Sequence, residues 1–159
     1  MTSICSVTTS LPILNNVKFR VLEKEDYKKG ISNILSELTN CEITEERFNI
    51  VFDEMQKSGR YNVIVGEDNN GKIVVTGTLL IERKFIHCGG LVGHIEDIVV
   101  TNSRRKEGLG KALIQKLIQI GKEKGCYKIV LDCQDGVKQF YEKCGIHYKD
   151  NCMAIYFNK

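Results

Sequence analysis

At 159 residues, with 42% hydrophobic and 27% charged side chains, the chain has room for one domain with one core and is too balanced for a disordered or membrane-spanning protein. The 23 Lys and Arg against 20 Asp and Glu leave a formal charge of +3, too mild to imply nucleic-acid binding. The seven cysteines are odd in number and no two form a Cys-x-x-Cys pair, which disfavours a disulfide framework and a zinc knuckle alike. No metal is expected, since His87 and Cys88 are neighbours that point apart in an extended segment. No apolar run approaches the roughly 18 residues of a transmembrane helix, and the start lacks the plan of a secretory signal, so a cytoplasmic address is expected.

Residues 1–16 are Ser/Thr-rich, hold the one proline, Pro12, and read as a loose leader; residues 17–159 read as a single domain. Val17, Phe19 and Val21 alternate with Lys18 and Arg20 as in a half-buried strand, and Ile31, Ile34, Leu35 and Leu38 recur at helical spacing. Thr44 is placed to cap a second helix whose apolar stripe is Phe48, Val51, Phe52 and Met55. Tyr61 to Gly66 and Lys72 to Arg83 flank a loop ending in Asn70-Gly71 and predict an antiparallel hairpin. After Gly89 and Gly90, a fourth strand runs from His94 to Val100. Leu109, Leu113, Leu117 and Ile120 mark a long amphipathic helix ending near Gly121 to Gly125, and Tyr127 to Leu131 makes a fifth strand. Val137, Phe140, Tyr141 and Cys144 predict a short fourth helix, and Met153 to Phe157 a last strand.

The most informative stretch is Arg104-Arg105-Lys106-Glu107-Gly108-Leu109-Gly110-Lys111, directly after a predicted strand and directly before a predicted helix. A helix N-terminus exposes unpaired N–H groups and a partial positive charge, and glycines spaced by one residue let a phosphate come close to that backbone. An ordinary basic loop would show the same letters, so the context has to decide. The stretch is not a Walker A loop, because Lys111 is followed by Ala112 rather than Ser or Thr. It is not a dinucleotide fingerprint either, because it has no third glycine and two helices precede the hairpin.

Arg105-x-x-Gly108-x-Gly110 between a strand and a long helix resembles the acetyl-CoA pyrophosphate loop of the GNAT superfamily of N-acetyltransferases, and the element order from Val17 agrees. Within the superfamily, Ile81 to His87, Gly93 to Ile98, Gly108 to Lys111, Gly125 to Ile129, Leu131 to Cys133 and Phe140 to Gly145 resemble the glucosamine-6-phosphate N-acetyltransferases. The resemblance implies an α/β (α+β) fold, the GNAT acyl-CoA N-acyltransferase fold, with a mixed central sheet of about six or seven strands flanked by about four helices. It also implies a homodimer and acetyl-CoA as cosubstrate. The implied reaction acetylates the amine of glucosamine 6-phosphate in a ternary complex, feeding UDP-N-acetylglucosamine synthesis.

Carried onto this sequence, the resemblance places the pyrophosphate on Arg105, Lys106, Glu107, Gly108, Leu109 and Gly110, and the pantetheine arm along Ile98, Val99 and Val100, with Tyr141 and Lys143 completing the cofactor contacts. Tyr141 would donate a proton to the departing thiolate. Asp132 would orient the amine, and deprotonation would run through water held by Glu96 or directly to solvent. Thr39, Lys84, Phe85, Ile86, His87, Glu96, Asp97, Asp132 and Cys133 would contact the sugar phosphate. Glu96 and Asp97 are consecutive, so only one faces the cleft unless a bulge re-aims the other. Two positions depart from the family: Tyr156 stands where a phosphate-binding arginine is usual, and Val137 replaces an asparagine. Cys126, Cys133 and Cys144 read as buried small hydrophobes rather than nucleophiles. The competing readings are a GNAT enzyme for a polyamine or protein lysine, and a non-catalytic acyl-CoA sensor.

Overall fold

The computed structural model describes residues 13–157. Its strands form one sheet in chain order: β1 (Ile13–Leu14), β2 (Val17–Val21), β3 (Tyr61–Asp68), β4 (Ile73–Arg83), β5 (Leu91–Val100) and β6 (Cys126–Val130). Neighbours from β1 to β5 are antiparallel, whereas β5 and β6 are parallel. A parallel pair needs a crossover, and the helix α4 (Leu109–Glu123) supplies it.

Both faces of the sheet are covered. On one, Leu109, Leu113, Ile114 and Leu117 of α4, each 1% exposed or less, pack against Val75, Leu79 and Ile95. Burying each such side chain stabilises the fold by about 1.5–3 kcal/mol, so this stripe holds α4 and the loop before it in place. On the other face, α1 (Ile31–Leu35) and α2 (Glu45–Ser58) bring Ile31, Ile34 and Phe48 onto Val65, Ile73 and Val99. The α2 cap is the one the sequence predicts: the Arg47 N–H donates to Thr44 Oγ1 at 3.2 Å. In the β3–β4 turn, Asp68 Oδ1 accepts the N–H groups of Asn70 at 2.9 Å and Lys72 at 3.0 Å.

Among the described residues, one acidic side chain is fully buried. Asp26 accepts both Arg20 Nη1 at 2.7 Å and Nη2 at 2.5 Å, and the Glu23 N–H at 2.8 Å. Arg20 Nε also donates to Glu67 at 2.9 Å, so the guanidinium ties β2 to β3 and to the turn after β2.

The structure corrects the sequence reading in four places. Ile13 and Leu14, set within the leader, pair with Val17 and Lys18 as a hairpin; residues 1–12 lie outside the described residues. Met153 to Phe157 form no strand: they pair with no strand of the sheet, although β6 is an edge strand with one side unpaired, and Met153 and Tyr156 are 95% and 92% exposed. Helix α1 stops at Leu35, leaving Leu38 exposed. A single turn, α3 (Ile86–Gly89), interrupts the β4–β5 connection with His87 and Cys88 at φ 52° and 54°. No described helix is long and apolar enough to cross a membrane.

Candidate active site

The site is built where β5 and β6 part. Their pairing ends at His94 and Val130, yet β5 continues to Val100, which leaves six of its residues without a β6 partner. On its other edge β5 carries a bulge: Thr78 pairs with Glu96 and Thr76 with Val99, so Asp97 and Ile98 both face Gly77. Asp97 takes a left-handed φ of 53° to accommodate the extra residue. Gly77 provides the room, since a Cβ there would lie 2.3 Å from Ile98 Cδ1 and 2.9 Å from Leu113 Cδ2. The bulge breaks the strict alternation of a strand, and Glu96 and Asp97 are both exposed.

These carboxylates gather with a third from across the gap. Glu96 is open along its length, yet partial desolvation of its carboxyl, followed by the negative charges of Asp97 and Asp132, holds it above the usual glutamate range, with His94 opposing. The Asp132 carboxylate, beside the Cys152 thiol, pushes that thiol above its usual range.

Tyr141 lies on α5 (Lys138–Glu142), half-buried against the α4 core, its ring edge-on to Phe140 at 5.0 Å. Burial first, then Cys133 and Cys144, push its phenol above the ordinary tyrosine range, so it carries a proton to give. Cys144 is buried as the sequence suggests and Cys126 is half-buried, whereas Cys133, at the frayed end of β6, is exposed.

At the far end of β5 lies the loop of residues 104–108, and then α4. The α4 N-cap, Gly108, sits at φ 83° with no capping side chain, and no acidic residue occupies the first turn. The leading amides and the positive end of the helix dipole are therefore free to meet an anion. Gly110 packs closely, its Cβ position 3.2 Å from Phe140 Cζ and 3.4 Å from Val100 Cγ2, so the helix start, the end of β5 and α5 meet at one point. Leu109 and Val99 turn their side chains into the two cores, which leaves only their backbones available to a ligand. Arg105 is exposed, with Nε on Val100 O at 3.2 Å, and Lys106 is exposed at φ 69°.

The remaining sequence-predicted residues are less closely gathered. Lys84 donates to Glu82 at 2.6 Å, and the other Glu82 oxygen lies 2.8 Å from His94 Nε2. Glu82, which sequence reasoning did not single out, thus links Lys84 to β5; its period-two spacing from Lys84 is the one signal that places both on one side of the chain. His87 stacks on Tyr127 with ring centroids 4.2 Å apart. Phe85 and Ile86 project into solvent, 103% and 63% exposed. Thr39 makes a backbone bond to Leu35, and Lys143 sits exposed at the end of α5; no described hydrogen bond brings either side chain to the carboxylates. Among the described residues no group of three His, Cys, Asp or Glu is placed to hold a metal. Surface hollows of about 310 and 410 Å³ are lined by other residues, around Arg60 and Lys124 and around Lys28 and Lys72. Chemistry rather than depth marks the site.

Residues 29–146 match the profile of the acetyltransferase (GNAT) family. The chain belongs to that family. GNAT acetyltransferases use acetyl-CoA as cosubstrate, and the uncapped α4 terminus and parted strands suit an anionic, extended ligand. Glucosamine 6-phosphate N-acetyltransferase 1 of Dictyostelium discoideum is 43% identical over 144 residues, covering 89% of this chain and 92% of that protein. The glucosamine 6-phosphate N-acetyltransferase of Candida albicans is 40% identical over 134 residues, 83% of this chain and 89% of its own. The crystal structure of glucosamine-6-phosphate N-acetyltransferase from Arabidopsis thaliana superposes with a TM-score of 0.87 at 41% identity, covering 89% of this chain and 99% of that one. The GNAT fold expected from the sequence is present, with its mixed sheet.

Proposed function

We propose that this protein transfers the acetyl group of acetyl-CoA to the amine of glucosamine 6-phosphate by direct attack in a ternary complex. What supports this reading is the grouping of Glu96, Asp97 and Asp132 where β5 parts from β6, with the uncapped start of α4 beyond the far end of β5. Relatives of like length that bear this activity in their names support the choice of acceptor.

In this reading, backbone N–H groups from Arg105 to Gly110 hold the pyrophosphate, and the free edge of β5 at Ile98, Val99 and Val100 pairs with the pantetheine amides as an added strand would. A β5 N–H aimed at the thioester oxygen stabilises the negative charge that forms there as the amine attacks, an effect of about 3 kcal/mol in acyl transfer generally. Asp132 orients the amine, and the raised Glu96, or water beside it, accepts the proton the amine must lose. Tyr141 gives its proton to the departing sulfur. Lys84, His87 and the backbone of Phe85 and Ile86 meet the sugar phosphate, which competes with Glu82 for the Lys84 ammonium.

The same reading includes a homodimer. Phe85 and Ile86 stand out from one end of the sheet, and Met153, Ile155, Tyr156 and Phe157, each at least 77% exposed, form an apolar tail that a second copy would cover. Light scattering should then give twice the 18.0 kDa chain mass.

The decisive experiment is CoA release from acetyl-CoA, comparing glucosamine 6-phosphate with glucosamine and spermidine, with protein-only blanks because seven cysteines react with thiol dyes. Strong preference for the phosphorylated sugar is expected. Preference for spermidine would replace the acceptor, and CoA binding with no acceptor-dependent release would make the protein a sensor.

A further inference from the structure

The loop before α4 is held from outside by a part of the chain that local sequence patterns do not connect with it. Asn15 and Asn16 form the two-residue turn between β1 and β2, both left-handed at φ 48° and 62°, the geometry of a type I′ hairpin. From that turn the Asn15 side-chain amide donates to the Glu107 carbonyl at 2.8 Å, and the Asn15 carbonyl accepts from Arg104 Nη2 at 2.9 Å. Arg104 in turn grips the Glu107 carboxylate, with Nε 2.8 and 2.9 Å from its two oxygens. Leu14 of β1 is half-buried against the α4 core, and its Cδ2 lies 3.9 Å from the Cβ position of Gly108.

The peptide bond turns these contacts into a constraint on the cofactor grip. In a planar trans peptide the carbonyl of one residue and the N–H of the next point in opposite directions. A fixed Glu107 carbonyl therefore fixes the Gly108 N–H, aimed away from the hairpin. Glu107 lies between two left-handed residues, Lys106 at φ 69° and Gly108 at φ 83°. Glycine crosses freely between φ signs, so a flipped Glu107–Gly108 peptide is the natural competitor, presenting a carbonyl where an N–H is wanted. Arg104 also neutralises the Glu107 carboxylate, which would otherwise repel an incoming phosphate; that pairing holds Glu107 below the ordinary glutamate range.

We propose that the β1–β2 hairpin is a positioning element for acetyl-CoA: Asn15, with Arg104, locks the Glu107–Gly108 peptide in the orientation that offers the Gly108 N–H to the pyrophosphate. This rests on the reading that the loop from Arg105 to Gly110 holds that pyrophosphate.

The test uses the full chain with Asn15→Gly, which keeps a left-handed turn and removes only the amide, and with Arg104→Gln. Calorimetry measures CoA affinity, and turnover is measured with S-acetylpantetheine, which lacks the pyrophosphate, using the acceptor that serves the wild type. Asn15→Gly should weaken CoA binding about fivefold, the effect of one hydrogen bond. Arg104→Gln should weaken it roughly tenfold or more, because a charge-assisted pair is lost and a carboxylate is freed. Acetylpantetheine turnover and the melting temperature of Asn15→Gly should stay at wild-type values. Equal losses for CoA and acetylpantetheine would overturn the proposal, because the hairpin would then act through general stability. Wild-type discrimination in favour of CoA that survives unchanged in Asn15→Gly overturns the brace alone. A wild type that holds CoA no better than acetylpantetheine overturns the phosphate-loop reading and the brace with it.

Discussion

Replacing Gly77 by alanine tests whether the β5 bulge is what shapes the site. Gly77 faces the two residues Asp97 and Ile98, and an added methyl would lie 2.3 Å from Ile98 Cδ1, 2.9 Å from Leu113 Cδ2 and 3.5 Å from Leu117 Cδ1. Ile98 is half-buried and its terminal methyl can swing aside, whereas Leu113 is 0% exposed and has no space to enter. Overpacking of this kind costs about 1–3 kcal/mol, and one mobile and one immobile neighbour place the expectation near 2. With a urea slope of about 2 kcal/mol per molar, the unfolding midpoint should fall by about 1 M. Ile98→Val deletes the clashing Cδ1 and should by itself cost about 1 kcal/mol. In the double variant the costs should not add: it should be more stable than their sum by at least about 0.5 kcal/mol, with the Leu113 contact left over. Because Ile98 lies along the proposed pantetheine path, Gly77→Ala should also raise KM for acetyl-CoA, and Ile98→Val should partly restore it. A midpoint shift below about 0.2 M, or strict additivity in the double variant, would refute the steric argument.

Three further outcomes are expected. Tyr141→Phe should lower kcat about 100-fold while leaving KM for acetyl-CoA within about twofold, since the phenol is needed chiefly as charge develops on sulfur; undiminished turnover in steady-state assays would remove that role. Carboxyl-carbon NMR should find Glu96 titrating above its ordinary value of 4.5, and Asp97→Asn should move the midpoint down. A raised glutamate pKa favours the protonated form in the folded state, so stability falls as pH rises from the unfolded value through the folded one. Glu96→Gln should therefore melt higher than wild type at neutral pH and show no such gain at about pH 4; a gain at both would point to another cause. Arg20→Met leaves Asp26, 0% exposed, without its bidentate partner and should cost about 3–5 kcal/mol in urea unfolding. A loss under about 1 kcal/mol would show that the Glu23 N–H and the Lys29 ammonium, whose Nζ lies 3.9 Å from Asp26 Oδ1, suffice.

The legible parts of the fold are those decided within a few residues. Val17 to Val21 forms the strand that its alternation predicts, and Thr44 caps its helix. Leu109, Leu113 and Leu117 enter the core as their spacing requires. Gly108 and Gly110 stand at the strand-to-helix junction where the sequence puts them. The β1 hairpin escaped because two-residue strands carry no period, although Asn15-Asn16 before an alternating run was a turn signal in plain view. Met153 to Phe157 has the apolar content of a strand yet pairs with no edge of this sheet, although one side of β6 is unpaired; its apolar content says nothing of which edge, if any, it joins.

Family membership, the order of elements and the glycine-flanked start of α4 were already written in the chain, because periodicity and helix-terminus chemistry are short-range properties. Tertiary structure decided the rest of the site. The parting of β5 and β6 after His94, the left-handed Asp97 that brings two consecutive carboxylates to the surface, and the proximity of Asp132 to Glu96 depend on strand register, which no local pattern encodes. So does the contact of Asn15 with Glu107, across 92 residues of sequence. A side chain's type limits the chemistry it can do, and only its long-range neighbours determine its charge state and what it holds in place.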